Sequence, residues 1–192
     1  DPMPNTFASK FKSGESGFLF RVLLWQEKIS AWFADRVLTV HEPLKEYVLV
    51  AQHGLPAERI DVVANFPDDR LFAEMVAQEA NGRIHLVFHG SILERYGLQH
   101  AMKALSQMRY RDKVSVKIIG EGDYSARLKD LIESLGLEAT VKFDNRMYPL
   151  DQIPEQLKGA NLGLVPLEIS SITKYALPLK LLEYLSLGIA SI

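Results

Sequence analysis

No cysteine occurs in the 192 residues. That excludes disulfides, cysteine-ligated zinc and thiol nucleophiles. It also fits a reducing compartment, and a cytoplasmic location is expected. No apolar run of the chain approaches the roughly 20 residues of a membrane-spanning helix. An excess of either charge is lacking too. The 22 Lys+Arg stand against 24 Asp+Glu, a formal net charge of −2. Such a balance is not the broadly basic field of a nucleic-acid binder, so nucleic acid is not an expected partner. A local basic pocket remains compatible with it. The opening Asp1-Pro2-Met3-Pro4 shows no basic-then-apolar signal pattern. The first residue is not Met, and a piece of a longer protein is expected. What is present is a globular composition, 47% hydrophobic and 24% charged, which suffices for a sizeable core in one domain plus part of another.

From about residue 83 onward one rhythm repeats: a short apolar strand, a turn rich in Gly, Asp or Pro, then an amphipathic helix. Ile84 to His89 reads as the first strand, and Leu98, Ala101, Met102, Leu105 and Met108 then recur at helical spacing. Val114 to Ile119 is the second strand. Its helix carries Leu128, Leu131, Ile132 and Leu135, and Gly136 stands where a left-handed cap ends it. Ala139 to Phe143 is the third strand, followed by a helix that Asp151 can cap. Leu162 to Pro166 is the fourth. Pro178 then suits a helix's first turn, Leu181, Leu182 and Leu185 form its buried stripe, and Ile189 to Ile192 begins a fifth strand. Alternation of this kind predicts a parallel sheet with right-handed crossovers, covered by helices on both faces.

The first 80 residues differ. A long helical pattern runs from Phe18 to Phe33, then a strand over Val37 to Val40, a helix through Leu44, Tyr47, Val48 and Ala51 to Gly54, and a short strand at Ile60 to Ala64. The change of pattern puts a domain boundary within about 65–82, with 1–66 as a first α/β part, 67–82 as a linker, and 83–192 as a Rossmann-like nucleotide-binding domain whose fifth strand is only begun at Ile192. The apolar face of the Trp32-Phe33 helix has two readings: burial in the first domain, or contact with a membrane surface.

In a parallel α/β sheet, ligands bind beyond the carboxyl ends of the strands, so the loops there hold the candidates. His89-Gly90-Ser91 follows the first strand and Gly120-Glu121-Gly122 the second. These glycines allow close backbone approach, and a following helix N-terminus offers N–H groups to a phosphate. The plain alternative is a tight βα turn, and the pattern is not the full dinucleotide fingerprint. The plain reading of His89 is a buried neutral histidine at a strand end. Arg95, in Glu94-Arg95-Tyr96-Gly97, can clamp a diphosphate bidentately. The alternative is a solvated Arg paired with Glu94 or Glu121. Glu183 can accept two hydrogen bonds from a ribose diol, or form an exposed i,i+3 pair with Lys180. No His, Asp and Glu spacing suggests a metal site, and there is no G-x-S-x-G elbow.

Taken together these segments resemble glycosyltransferase family 4, the group 1 enzymes with the GT-B fold. The segment Pro178 to Gly188, containing Lys180-Leu181-Leu182-Glu183-Tyr184, is the most specific match. The resemblance implies a retaining transfer of a sugar from a nucleoside-diphosphate sugar to a hydroxyl acceptor, whether glycan, lipid or small molecule. It places the donor in the C-terminal Rossmann-like domain, with no separate cofactor and no tightly bound metal. Arg95 falls at the family's basic diphosphate position, and with Lys180 it would stabilise the leaving diphosphate. Glu183 would hold the ribose hydroxyls, Gly90, Ser91, Gly120 and Gly122 would form the donor loops, Arg146 and Met147 would line the base, and Tyr175 would lie against phosphates and sugar. Two positions depart from the pattern: Tyr175 stands where a second glutamate is common, and Ser91 where an arginine is common. The fragment alone is expected to be inactive, and a membrane surface is a further partner open to the parent protein. A sugar-nucleotide epimerase of the same fold and a non-catalytic α/β binding module are the competing readings.

Overall fold

The computed structural model describes residues 4, 17–73, 82–170 and 173–192. They divide into two compact units, one within Asp1–Asn65 and Ile169–Leu177, the other within Phe66–Glu168 and Pro178–Ile192. Residues 74–81 of the expected linker lie outside the described residues, as do Asp1-Pro2-Met3 and Ser171.

In the first unit, helix α1 (Phe18–Phe33) runs where the apolar spacing places it. Strands β1 (Val37–Thr39) and β2 (Ile60–Val62) pair in parallel. Between them Leu44–Val50 winds as a wide π-type turn rather than as the expected regular helix. Burial of α1, one of its two readings, is not found among the described residues: none of its residues is buried, and Phe33 is 91% exposed. Polar contacts anchor it instead. The Trp32 indole N–H donates to the His53 carbonyl at 3.1 Å, and buried His53 meets Glu27 at 3.1 Å. No helix among the described residues is long and apolar enough to cross a membrane.

The second unit is built on a five-stranded parallel sheet. Its strands are β3 (Ile84–His89), β4 (Val114–Ile119), β5 (Val141–Asp144), β6 (Leu162–Gly163) and β7 (Ala190–Ser191), in the order β5-β4-β3-β6-β7. The helices are α2 (Leu98–Gln107), α3 (Ser125–Ser134), α4 (Ile153–Leu157) and α5 (Leu179–Ser186). This is the expected Rossmann-like parallel sheet flanked by helices, and its near-continuous apolar strands have the expected cause. Phe88 and Ile118 face one core with Met102, Leu105, Leu128 and Ile132. Val87 and Ile119 face the other with Ile153, Leu157, Tyr184 and Leu187, and Phe72 joins them. Each such buried side chain contributes roughly 1.5–3 kcal/mol relative to exposure.

The element ends differ in small ways. β5 begins at Val141 rather than Ala139, because the Thr140 N–H turns back to the Leu137 carbonyl at 2.9 Å. The regular part of β6 is two residues long, yet Leu164 and Val165 donate onward to Val87 and Ile192, so pairing persists to Val165. Asp151 makes no capping bond to α4; a 3-10 turn over Leu150–Gln152 opens that helix, with Pro154 in its first turn. Gly136 ends α3 at φ +61°, as its position predicts.

In this strand order, successive connections from β3 run outward to β4 and β5, then return across to β6 and β7. The reversal lies between β3 and β6. Ligands of such sheets sit in the crevice beyond the strand ends at this switch point.

Candidate functional site

At the carboxyl end of β3 the chain turns through Gly90, and at the end of β4 through Gly120. The Gly90 N–H donates to the Ile119 carbonyl at 3.0 Å and the Gly120 N–H to the Asp144 carbonyl at 3.1 Å, so both turns extend the sheet ladder. Gly120 stands at φ +136°, and a Cβ there would lie 1.9 Å from the Gly90 carbonyl oxygen. Only glycine combines that backbone geometry with that approach. The two turns press together and leave a cleft of about 170 Å³ beyond them. His89, Gly90, Gly120, Arg146, Met147, Tyr148 and Glu183 are among the residues lining it.

Glu183 forms the floor. It is 5% exposed, and its Oε2 lies 3.0 Å from Nε2 of His89, itself 6% exposed. The distance is that of a hydrogen bond, but the approach falls outside bonding alignment and leaves Nε2 without an aligned hydrogen-bond partner. Tyr184, the next residue on α5, is fully buried. Its hydroxyl accepts from the His89 N–H and donates to the Val87 carbonyl, both at 3.3 Å. Burial raises the Tyr184 phenol above its ordinary value, so it serves as a neutral donor. The tyrosine thereby pins α5 to the end of β3, and its ring fills the space that the missing side chain of Gly163 leaves open.

Two cations share the Tyr96 ring, and one of them stands against the Gly90 turn. Lys180 Nζ lies 3.6 Å from the Phe88 ring centroid and 4.8 Å from that of Tyr96. A Cβ on Gly90 would be 3.5 Å from this ammonium. The residue as a whole keeps some exposure, but the group that titrates sits against two aromatic rings. Desolvation pulls its pKa from 10.5 to about 7, against the opposing pull of Glu183. Arg95 sits on a 3-10 turn over Glu94–Tyr96, its guanidinium 5.2 Å from the same Tyr96 ring. Two cations sharing one ring form a positive corner suited to an anion.

Arg146, Asp144 and Tyr148 make the rim. The Tyr148 hydroxyl donates to Asp144 at 2.6 Å, and Arg146 contacts both Asp144 (3.3 Å) and the Tyr148 hydroxyl. The Tyr148 hydrogen bond, with help from Arg146, holds the Asp144 carboxyl below its usual range.

The structure thus brings together five predicted residues, Gly90, Gly120, Arg146, Met147 and Glu183, around one cleft, with Lys180 against the Gly90 turn. Arg95 joins Lys180 at Tyr96. Glu183 is buried against His89 rather than exposed, and Glu94 meets Arg127 at 3.9 Å. Ser91 is exposed and does not line the cleft, and Gly122 opens α3, where its N–H donates to the Ser125 hydroxyl. Tyr175 belongs to the first unit, stacked on Tyr47 with ring centroids 5.2 Å apart. Sequence reasoning left Tyr148, Leu150 and Ile153 out of the site; their only signal is their place just after Arg146-Met147.

The family model for glycosyl transferases group 1 matches residues 72–192. No curated protein sequence matches the chain significantly. Among solved structures, sucrose-phosphate synthase from Thermosynechococcus elongatus superposes with a TM-score of 0.72 at 17% identity, over 89% of this chain and 43% of its own. WaaG, a glycosyltransferase involved in lipopolysaccharide biosynthesis, gives 0.66 at 17% over 96% and 53%. Anabaena Alr3699/HepE, solved in complex with UDP, gives 0.65 at 18% over 89% and 48%. At these identities the likeness is one of fold. The chain spans about half the length of the structures it matches.

Proposed function

The chain belongs to the glycosyl transferases group 1, and from that premise we propose that it is the donor-holding part of a retaining glycosyltransferase, whose whole protein transfers a sugar from a nucleoside-diphosphate sugar to a hydroxyl acceptor. The cleft beyond the ends of β3 and β4 carries the reading. A buried carboxylate and two glycine turns line it, Lys180 stands against the Gly90 turn, and Arg95 shares the Tyr96 ring with Lys180. Glu183 accepts the ribose hydroxyls. The Gly90 and Gly120 turns let the backbone approach the diphosphate. Arg95 and Lys180 stabilise the charge that grows on the leaving diphosphate as the glycosidic bond breaks, usually the largest single contribution to such catalysis. Arg146 and Met147 border the base. The complex of HepE with UDP supports a nucleoside diphosphate as the ligand class on the same fold.

The reading is tested by calorimetry on the whole protein, titrated with UDP, GDP, ADP and dTDP. One diphosphate is expected to bind, and Glu183→Ala and Arg95→Ala are each expected to weaken it about tenfold or more, near 1.4 kcal/mol. Failure of all four to bind sinks the proposal. Wild-type affinity in both variants moves the site elsewhere.

A further inference from the structure

We propose that His89 is a positioning residue, whose Nε2 steers the Glu183 carboxylate onto the two ribose hydroxyls of a bound nucleoside diphosphate. The inference rests on the nucleotide reading above and deepens it. Three observations carry it. His89 lines the same cleft as Glu183 and is 94% buried, with its Nε2 3.0 Å from Oε2 but lacking an aligned hydrogen bond. A buried polar atom in that condition calls for a physical explanation. Second, the imidazole is held from two sides. The Tyr184 ring meets it edge-on at 5.2 Å, and the Tyr184 hydroxyl holds the His89 N–H. Third, Glu183 and Tyr184 are adjacent on α5. One helical turn therefore presents the carboxylate and also fixes the ring that aims it.

A ribose diol supplies two O–H donors from the cleft side, and the carboxylate then turns to accept them while Oε2 swings onto the Nε2–H direction. His89 touches Glu183 and not the reacting atoms, so its contribution is read in recognition of the sugar hydroxyls rather than of the phosphates.

The test is calorimetry on the whole protein with UDP, GDP and ADP beside their 2′-deoxy counterparts, comparing wild type with His89→Ala and His89→Gln. The wild type is expected to prefer the ribonucleotide. His89→Ala should weaken ribonucleotide binding about tenfold, the scale of one hydrogen bond to a charged group, and leave the deoxy form nearly unchanged, so that the preference collapses. His89→Gln keeps an N–H within reach of Oε2 and should recover most of it. Equal losses of both forms in both variants would mean that His89 only supports the fold, and an unchanged preference in His89→Ala would mean that it does not aim Glu183. Either overturns the proposal while the nucleotide reading stands. A wild type that binds none of the diphosphates overturns both.

Discussion

His89 and Glu183 lie 3.0 Å apart at the floor of the cleft, with side chains 8% and 7% exposed. Arg146 and Asp144 lie 3.3 Å apart at its rim, with side chains 65% and 25% exposed. The separations are nearly equal; the access of water is not. At the rim, solvent screens the pair and either partner can exchange the other for water. At the floor, each group's options are limited to what the fold placed beside it, and the loss of one leaves the other stranded. Distance alone would rank the two pairs together. Burial separates a pair confined by the fold from one that solvent can screen.

The strongest way to break this contrast is to loosen the floor. Gly120→Ala puts a methyl 1.9 Å from the Gly90 carbonyl at a φ of +136°, and we expect a loss of about 3 kcal/mol or more in denaturant unfolding. A variant within about 1 kcal/mol of wild type would show that the paired turns yield, and that the floor is no more rigid than the rim.

Lys180 sharpens the comparison through pH. Burial lowers its pKa from 10.5 to about 7. Between those values the unfolded chain holds a proton that the folded chain lacks, so the folded state gains stability as pH rises through that window, and the penalty is complete below about 7. Lys180→Met removes the ionisable group and keeps the apolar stem. It should be more stable than wild type below about pH 7, with the gain fading as pH approaches 10.5, while diphosphate binding weakens. Binding to the wild type above pH 7 should also draw in a proton, visible as a dependence of calorimetric heat on the buffer's ionisation enthalpy. Parallel stability curves for wild type and variant would place the ammonium in water, with no cost of burial.

The smallest effect belongs to the rim. Arg146→Ala should change stability by less than about 0.5 kcal/mol and nucleotide affinity by about two- to threefold, in the same unfolding and titration experiments. A loss to rival Glu183→Ala would erase the distinction between floor and rim.

Much of this was legible along the chain. The alternation of short apolar strands with helices of period 3.6 after residue 83 announces a parallel sheet with helices on both faces, and β3, β4 and the helix at Leu179–Ser186 fall where that alternation puts them. The loops after the strands hold Gly90, Gly120, Arg146 and Met147, which border one cleft together with Glu183 of α5. The short elements were less legible. β6 and β7 lie inside the strands expected at Leu162 to Pro166 and Ile189 to Ile192, but only two residues of each are regular. Asp151 has the right chemistry for a cap, but the 3-10 turn beginning at Leu150 takes over the opening of α4. Helix α1 is legible as a helix, but its apolar spacing does not show what covers it.

By itself the sequence determined the alternation of strands and helices, the glycine-marked turns and the residue types available to meet a sugar nucleotide, because each of these is set by neighbours within a few positions. The tertiary structure alone decided the pairing of β3 with β6, the burial of Glu183 against a histidine 94 residues away, and the packing of the Lys180 ammonium on Phe88. On the helix surface Glu183 has Lys180 within one turn, and an exposed salt bridge is the local expectation. Glu183 became the floor of a site because the crossover from β6 to β7 laid α5 across the end of β3. Desolvation and long-range contact are properties of the folded chain, and no local spacing encodes them.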